Sequence, residues 1–194
     1  MSNGHVGIFG ASGHARVAAD CAIASGLIVA AFYDDDEAIH GQTRMGSPGI
    51  QIVGGREAAA SSASDARLLI AIGENQVRSN ISDWFTDRGV EFQTVVHPAA
   101  VIGSEVNIGA GTLIVAGVIV NTGASIGNHV IINTSASVDH DCQIGDFVHI
   151  SPGAHLAGEV KAGEGAHIGM GGHCHPGSHH RCVVSRGSWS GGNA

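Results

Sequence analysis

The stretch VHPAAVIGSEVNIGAGTLIVAGVIV, residues 96–120, begins a six-residue repeat that continues to Gly172. A branched aliphatic or small residue returns at every sixth position, namely Val96, Ile102, Ile108, Ile114, Val120, Ile126, Ile132, Val138, Ile144, Ile150, Leu156, Ala162 and Ile168. Four places after each of these stands a second small or apolar residue, from Ala100 to Gly172. An α-helix has a period of about 3.6 residues and a half-buried strand a period of about 2, so neither explains a period of six.

A fixed repeat of six residues is typical of a parallel β-helix, a solenoid in which three repeats form one triangular coil. The aliphatic residue of each repeat is expected to point inward, and successive coils to stack at roughly 4.8 Å. Residues one coil apart should then lie above one another. This predicts that His149 stacks with His167, His155 with His173, and Asn121 with Asp139.

Composition agrees with a solenoid and excludes some functions. Hydrophobic residues make up 43% of the 194 positions, aromatic residues 4% and charged residues 13%, and 30 positions are glycine. The formal net charge of −8 argues against a nucleic-acid partner or an anionic membrane surface. The chain has no unbroken apolar run long enough to span a membrane and does not begin with a basic region before an apolar core. We therefore expect a cytoplasmic protein with no membrane partner.

The first residues read as a strand, a glycine turn and a helix. The apolar run His5–Phe9 is followed by Gly10-Ala-Ser-Gly13-His14, and a small-residue helix is predicted over 15–24. This order begins a doubly wound α/β unit, in which the amides at the start of the helix face an anion. A tight turn without a ligand is the alternative.

Further strands are predicted over 27–33, 67–72 and 91–96, and helices over 56–61 and 78–88. Together they predict a small Rossmann-like α/β domain over residues 1–96. The carboxyl ends of parallel strands share one edge, so Gly10, Asp34 and Gly73 should border one ligand crevice. For the acidic residues 34–36, a solvated strand end is the alternative.

A cluster of charged residues interrupts the aliphatic pattern at Asp139-His140-Asp141. A carboxylate beside an imidazole can orient the ring and favour its protonated form, which suits a general base near neutral pH. A solvated polar face is the alternative. Cys142 occupies an inward position of the repeat, so we predict that it is a buried small residue.

The repeat is predicted to end at Gly172, which leaves residues 173–194 as an irregular tail. His173 to Cys182 holds two cysteines and several histidines, but their spacing fits no standard zinc module, and we predict no metal site. The other hypothesis is a frameshift near residue 171. Back-translated and moved by one base, residues 172–181 permit ATVIPGVIIG, which would continue the repeat. The DNA sequence tests this hypothesis.

Taken together, the two halves resemble the sugar acetyltransferases grouped as sialic acid O-acetyltransferase NeuD and UDP-4-amino-sugar N-acetyltransferase PglD. The motifs that carry the resemblance extend from residue 5 to about 172 and are GASGH at 10–14, YDD at 33–35, IAIGEN at 70–75, NTS at 133–135 and DHDCQIGDFVHISPG at 139–153. The resemblance implies that residues 97–172 form a left-handed parallel β-helix. It also implies a homotrimer that binds acetyl-CoA between neighbouring solenoids.

Roles for individual residues follow from the same resemblance. His140 matches the catalytic base, and Asp141 matches the acidic neighbour that raises its basicity. His149 matches a contact to acetyl-CoA, and Met170 a backbone contact to the same cofactor. The positions that match nucleotide-sugar contacts are Ser12, Gly13, His14, Asp34, Asp35 and Gly73.

The predicted function is acetyl-CoA-dependent acetylation of a sugar by direct attack, with His140 as the general base. A nucleotide-activated sugar with a 4-amino group is favoured as the acceptor, because the amino-terminal crevice suits a diphosphate. Two alternatives stay open: O-acetylation of sialic acid, and a solenoid that binds a sugar nucleotide without turnover.

Overall fold

The computed structural model describes residues 4–46, 49–62 and 66–175. Its first part is a three-stranded parallel sheet in the order β2-β1-β5, formed by β1 (His5–Phe9), β2 (Ile28–Tyr33) and β5 (Arg67–Ile70). Helices α1 (Gly13–Ala24), α2 (Arg56–Ser61) and α3 (Asn75–Thr86) connect and cover these strands. A 3₁₀ turn (Glu37–Ile39) and an antiparallel pair, β3 (Thr43–Met45) and β4 (Ile50–Gln51), lie between β2 and α2. The predicted small α/β unit is confirmed.

Two boundaries predicted for the α/β region are wrong. Helix α3 begins at Asn75, three residues earlier than expected, because the side chain of Glu74 accepts hydrogen bonds from the amides of Gln76 and Val77. The strand expected over 91–96 does not form as one element. Phe92 makes an isolated bridge to Leu68, whereas β6 (Val95–Val96) pairs with the solenoid.

The solenoid consists of two-residue strands joined by tight corners. After β6 these are β7 (Val101–Ile102), β8 (Asn107–Ile108), β9 (Leu113–Ile114), β10 (Ile119–Val120), β11 (Ser125–Ile126), β12 (Ile131–Ile132), β13 (Ser137–Val138), β14 (Gln143–Ile144), β15 (His149–Ile150), β16 (His155–Leu156), β17 (Lys161–Ala162), β18 (His167–Ile168) and β19 (His173–Cys174). They form three parallel sheets, β6-β9-β12-β15-β18, β7-β10-β13-β16-β19 and β8-β11-β14-β17. The parallel solenoid is therefore confirmed.

The register between strands is one coil throughout. His149 pairs with His167 and His155 with His173, and Asn121 donates a hydrogen bond to Asp139, as the repeat predicts. The second residue of each strand points inward, and these residues form one apolar core with Ile114, Val120, Ile132, Val138 and Ile150 fully buried. Each coil covers the apolar edge of the next, which explains why the core is aliphatic.

The prediction that an irregular tail begins at residue 173 is wrong at its first residues. β19 pairs with β16, and Cys174 is only 2% exposed at the inward position of one more repeat. The small cysteine side chain replaces an aliphatic residue there, so the ladder extends beyond Gly172. Residues 176–194, which include most of the segment covered by the zinc and frameshift readings, lie outside the described residues.

Every sixth residue from Glu105 to Gly171 has a positive φ and forms a corner of the coil. Glycine occupies half of these corners, and the others are Glu105, His129, Ser135, Asp141, Phe147 and Glu159. The left-handed conformation costs a non-glycine residue roughly 1–2 kcal/mol. Backbone hydrogen bonds between coils hold it, such as the bond from the Asp141 amide to the Thr122 carbonyl at 3.1 Å. Asp141 is thereby fixed at a corner.

The α/β region packs against the face of the solenoid formed by β6, β9 and β12. Helix α1 turns Ala15, Ala18 and Ala22 toward Val95 and Leu113, all of them buried in one cluster. Small alanine side chains let the helix approach the strands closely. No helix in the described ranges is long and apolar enough to cross a membrane.

Candidate functional site

His140 lies on the outside of the solenoid beside the corner residue Asp141. Its side chain is 52% exposed, and its Nδ1 lies 2.9 Å from Oδ2 of Asp141. This hydrogen bond, together with the charges of Asp139 and Glu159, raises the pKa of His140. The carboxylate accepts the proton on Nδ1, so Nε2 is the nitrogen that carries the free electron pair of the neutral ring.

The glycine at 158 makes room for this ring. Gly158 lies one coil beyond His140, and the His140 ring rests against it so closely that a Cβ atom at 158 would overlap Nε2. The ring thus bonds to Asp141 through Nδ1 and lies close to the backbone of Gly158 at its Nε2 end.

Asp139 has a different role from Asp141. Its Oδ1 accepts hydrogen bonds from Nδ2 of Asn121 and from the amide of His140, both at 2.8 Å. The bond from Asn121, followed by that from the backbone amide, lowers the pKa of Asp139. Asp139 therefore fixes the backbone before His140, and Asp141 is the carboxylate that orients the ring.

His149 faces the α/β region. Its Nδ1 lies 3.1 Å from the carbonyl oxygen of Gly73, and since a carbonyl only accepts, Nδ1 carries the proton. Nε2 is 3.4 Å from Nδ2 of Asn133, and the ring stacks on His167 with centroids 4.8 Å apart. Burial, above all, lowers the pKa of His149 to about 4. The ring is therefore neutral at pH 7, with its Nε2 available as an acceptor.

His14, in the first turn of α1, reaches the same place. Its ring centroid lies 6.2 Å from that of His149, and its Nε2 is buried with no hydrogen-bond partner among the described residues. Burial, followed by the charge of Arg78, lowers its pKa to about 4. Ser12 and Gly13, at the start of α1, are exposed beside it. The structure thus brings His14, Gly73 and His149 together, although they are far apart in sequence.

Asp34 and Asp35 follow β2, and both are bonded within the chain. Oδ2 of Asp34 accepts from the amide of Ala11 at 2.9 Å, which ties β2 to the glycine turn. Asp35 accepts from the amide of Arg56 at 2.9 Å and forms an ion pair with its guanidinium. Burial opposes ionisation of Asp35, but these bonds outweigh it and lower its pKa. Both carboxylates therefore order this edge of the sheet while staying partly exposed.

The remaining predicted residues lie apart from this cluster. Met170 is 80% exposed, directly before the corner at Gly171 in the last described coil. Cys142 is fully buried, its Sγ donates to the carbonyl of Ala157, and burial raises its pKa, so its inward position is confirmed. Within residues 4–46, 49–62 and 66–175, no group of three or more histidine, cysteine or acidic side chains could hold a metal ion.

Sequence reasoning missed two polar residues of α3. Asn75 and Arg78 are both buried, and Arg78 is fully buried. Together with the buried Ser82 they lie at positions i, i+3 and i+7, the spacing at which an amphipathic helix turns apolar side chains inward. Polar residues at that spacing were the signal available in the sequence.

Several known proteins are similar to this chain. Residues 5–85 match the family described as the PglD N-terminal domain. No curated protein sequence matches the chain. Among solved structures, the chain is similar to the acetyltransferase domain of PglB from Neisseria gonorrhoeae, with 32% identity over 90% of this chain and 83% of that one and a TM-score of 0.80. A second structure of that domain contains acetyl coenzyme A and has a TM-score of 0.81.

The chain is also similar to PerB from Caulobacter crescentus, solved in complex with CoA and GDP-perosamine. The identity is 38%, over 90% of this chain and 81% of that one, with a TM-score of 0.81. WeeI from Acinetobacter baumannii is a more distant relative, with 27% identity over 86% of this chain and 78% of that one and a TM-score of 0.73. This protein belongs to the PglD/PglB-type family of left-handed β-helix sugar acetyltransferases.

Proposed function

We propose that the protein transfers the acetyl group of acetyl-CoA to the 4-amino group of a nucleotide-linked amino sugar, with His140 as the general base. The observation that carries the proposal is the exposed His140–Asp141 pair, with Nδ1 and Oδ2 2.9 Å apart. The similar PglB domain binds acetyl-CoA, and PerB binds CoA and GDP-perosamine, which supports both substrates for this chain.

The reaction needs one base and no acyl-enzyme. The sugar nitrogen attacks the thioester carbonyl, a C–N bond forms, the C–S bond breaks, and Nε2 of His140 takes the proton released by nitrogen. The imidazolium then gives that proton to the departing CoA sulfur. Asp141 stabilises the imidazolium, so proton transfer at His140 becomes more favourable as the charge develops. Binding both substrates in one cleft contributes further to the rate.

The amino-terminal edge is the proposed nucleotide-sugar site. Ser12, Gly13 and His14 lie at the start of α1, where no side chain caps the first amides, and these amides suit a diphosphate. We place the nucleotide sugar against these residues and against Asp34, Asp35 and Gly73. His149 is the proposed contact to acetyl-CoA, since its neutral Nε2 stays an acceptor at pH 7. We place the backbone of Met170 along the cofactor farther from the thioester.

We further propose a homotrimer that binds acetyl-CoA between neighbouring solenoids. Val101 is 61% exposed and Ile119 is 43% exposed, and both lie on the outer face of one sheet, where a second copy would cover them. Light scattering on the purified full chain tests this state. Since acetyl-CoA is a cytoplasmic substrate, the proposal also places the reaction in the cytoplasm.

The test is release of the CoA thiol in the presence of GDP- and UDP-linked 4-amino sugars and free sialic acid. We expect turnover with a nucleotide-linked amino sugar, and a loss of about 10²–10⁴-fold in kcat for His140→Ala. The matched control is His155→Ala, which removes an exposed histidine on β16 whose ring bonds to Ser137 and not to the His140–Asp141 pair. Turnover with sialic acid, and none with the nucleotide-linked sugars, would show that sialic acid is the acceptor instead. An unchanged kcat in His140→Ala would overturn the proposed base.

A further inference from the structure

Arg78 is a fully buried arginine at the contact between the α/β region and the solenoid. It lies on the inner face of α3, one turn after Asn75. Burying a guanidinium costs several kcal/mol unless its hydrogen-bonding groups find partners. The hydrogen bonds of this side chain therefore show how the cost of its burial is offset.

Each N–H group of the guanidinium has an acceptor. Nε donates to the carbonyl of His129 at 2.9 Å, and Nη2 donates to the carbonyl of Phe147 at 2.7 Å and to Oδ1 of Asn75 at 2.9 Å. Nη1 donates to the carbonyls of Ile72 at 2.8 Å and Gly73 at 3.3 Å. One side chain thus joins the turn after β5 to two stacked corners of the solenoid.

Asn75 extends this contact to a third corner. Its Nδ2 donates to the carbonyls of Gly165 and Ala166 at 2.9 and 3.1 Å. The corners at 129, 147 and 165 are one coil apart, so α3 follows a column of main-chain carbonyls along the solenoid. Such a column is the same whatever side chains the corners carry, and it fixes the position of the helix along the stack.

The carbonyl of Gly73 connects this contact to the proposed site. It accepts one hydrogen bond from Nη1 of Arg78 and another from Nδ1 of His149. Hence the position of Gly73, set by Arg78, determines which nitrogen of His149 is protonated and where its ring lies. No described carboxylate forms an ion pair with Arg78, and its charge adds to burial in lowering the pKa of His149.

We propose that Arg78 is a positioning residue for the acetyl-transfer site: by fixing the Gly73 carbonyl against two corners of the solenoid, it holds His149 as the Nδ1–H tautomer, so that Nε2 accepts from Asn133 and can accept from an amide N–H of the bound cofactor. The contact to the cofactor rests on the proposed function. The effect on the tautomer of His149 does not, and it can be measured separately.

The first measurement is a nitrogen-15 spectrum of the histidine rings of the full chain, with His149 assigned by the loss of its signal in His149→Asn. In the unchanged protein we expect the Nδ1–H tautomer and protonation only near pH 4. In Arg78→Lys and Arg78→Met, the tautomer should become mixed, because the Gly73 carbonyl that accepts from Nδ1 is no longer held in place. Lysine retains the charge but cannot reach the same set of acceptors.

The second measurement is thiol release per folded molecule. Arg78→Lys should lower kcat by about 10–100-fold, because a displacement of about 1 Å at a reacting group has that effect. The pH midpoint of the reaction should not change, since Arg78 does not contact His140. The control is Arg88→Met, which removes an exposed arginine that packs on Trp84 just after the same helix. It should leave both the tautomer and kcat unchanged.

The outcomes separate this proposal from the proposed function. A wild-type His149 found as the Nε2–H tautomer overturns the role of Arg78, whether or not the variants fold. Variants that melt at a lower temperature but keep the tautomer and the kcat of the wild type also overturn it, because Arg78 is then structural only. If no sugar is acetylated but the tautomer changes as expected, the proposed function fails and the positioning effect stands.

Discussion

Two groups of histidines in this molecule meet opposite environments. His140 projects from a corner into solvent beside a carboxylate, and its pKa is raised. His14, His129 and His149 lie where the α/β region meets the solenoid, and burial lowers the pKa of each to about 4. The same side-chain type is therefore more basic than usual at the corner and a fixed neutral ring at the buried contact. Four predictions test this contrast, in order of expected effect.

Replacing the carboxylate beside His140 should have the largest effect. Asparagine tolerates the left-handed corner at 141, so Asp141→Asn should fold and remove mainly the charge. We expect kcat to fall by about 10–100-fold. The pKa of His140 should fall, so the acidic limb of the pH–rate profile should move to lower pH. A profile that does not move would show that Asp141 does not raise the basicity of His140.

The buried histidines His14, His129 and His149 should make the folded protein less stable in acid. A ring with a lowered pKa stays neutral in the folded chain, whereas the unfolded chain takes up a proton below the ordinary value of 6.5. Stability should therefore fall as the pH decreases from 6.5 and level off near pH 4. For His129, which is 4% exposed, the loss is on the order of 2–3 kcal/mol.

The dependence of the melting temperature on pH shows whether His129 itself causes the loss of stability in acid. Melting temperatures of the wild type and His129→Asn should be compared from pH 7 to pH 4. The variant should be less stable at pH 7, since it loses the bond to Ser82 Oγ and the stack on Phe147, but its stability should change less with pH. An equal slope in both proteins would contradict the role of His129.

A methyl group behind the ring of His140 should have a smaller effect. Gly158→Ala places a Cβ in the space of Nε2 and should displace the ring, with a loss of about 10-fold in kcat. Gly163→Ala is the matched control, because a Cβ at 163 meets nothing within 4 Å and the backbone there has an ordinary φ. Equal activity in the two variants would show that the ring needs no support from residue 158.

The smallest effect is expected from the thiol nearest to His140 in sequence. Cys142→Ala removes a buried thiol whose pKa is raised by burial, and kcat should change by less than about 2-fold. Stability should fall slightly, because the side chain fills space in the core. A loss of turnover as large as that of His140→Ala would indicate a covalent acyl intermediate and overturn direct transfer.

The sequence predicted the solenoid well because each repeat is decided locally. Val120, Val138 and Leu156 each report an inward position without reference to distant residues. The same rule applied one step further would have placed Cys174 inside, but the surrounding histidines and glycines obscured it. The single strand predicted over 91–96 failed for another reason: Val96 ends that run and also begins the repeat, and the structure follows the repeat by pairing Val96 with Ile114.

The candidate site could be predicted only in part. His140 and Asp141 are neighbours in sequence, so their contact follows from the corner that they share. The contact between Gly73 and His149 joins residues 76 positions apart and depends on how α3 docks. Arg78 was hidden because all but one of its partners are main-chain carbonyls, which every residue has and no pattern of side chains reveals.

The corners that recur at every sixth residue also bear on how the protein can change in length. Each coil bonds to its two neighbours, and among the described residues the last corner that α3 contacts is the one at 165–166. Whole coils gained or lost beyond β18 would therefore leave His140 and His149 in place. An insertion of a single residue between 129 and 149 would instead shift the register of the residues after it. His149, and also His140 if the insertion precedes it, would then turn to a different face of the triangle. Indels in this family should then come in complete coils after the site and be absent within it.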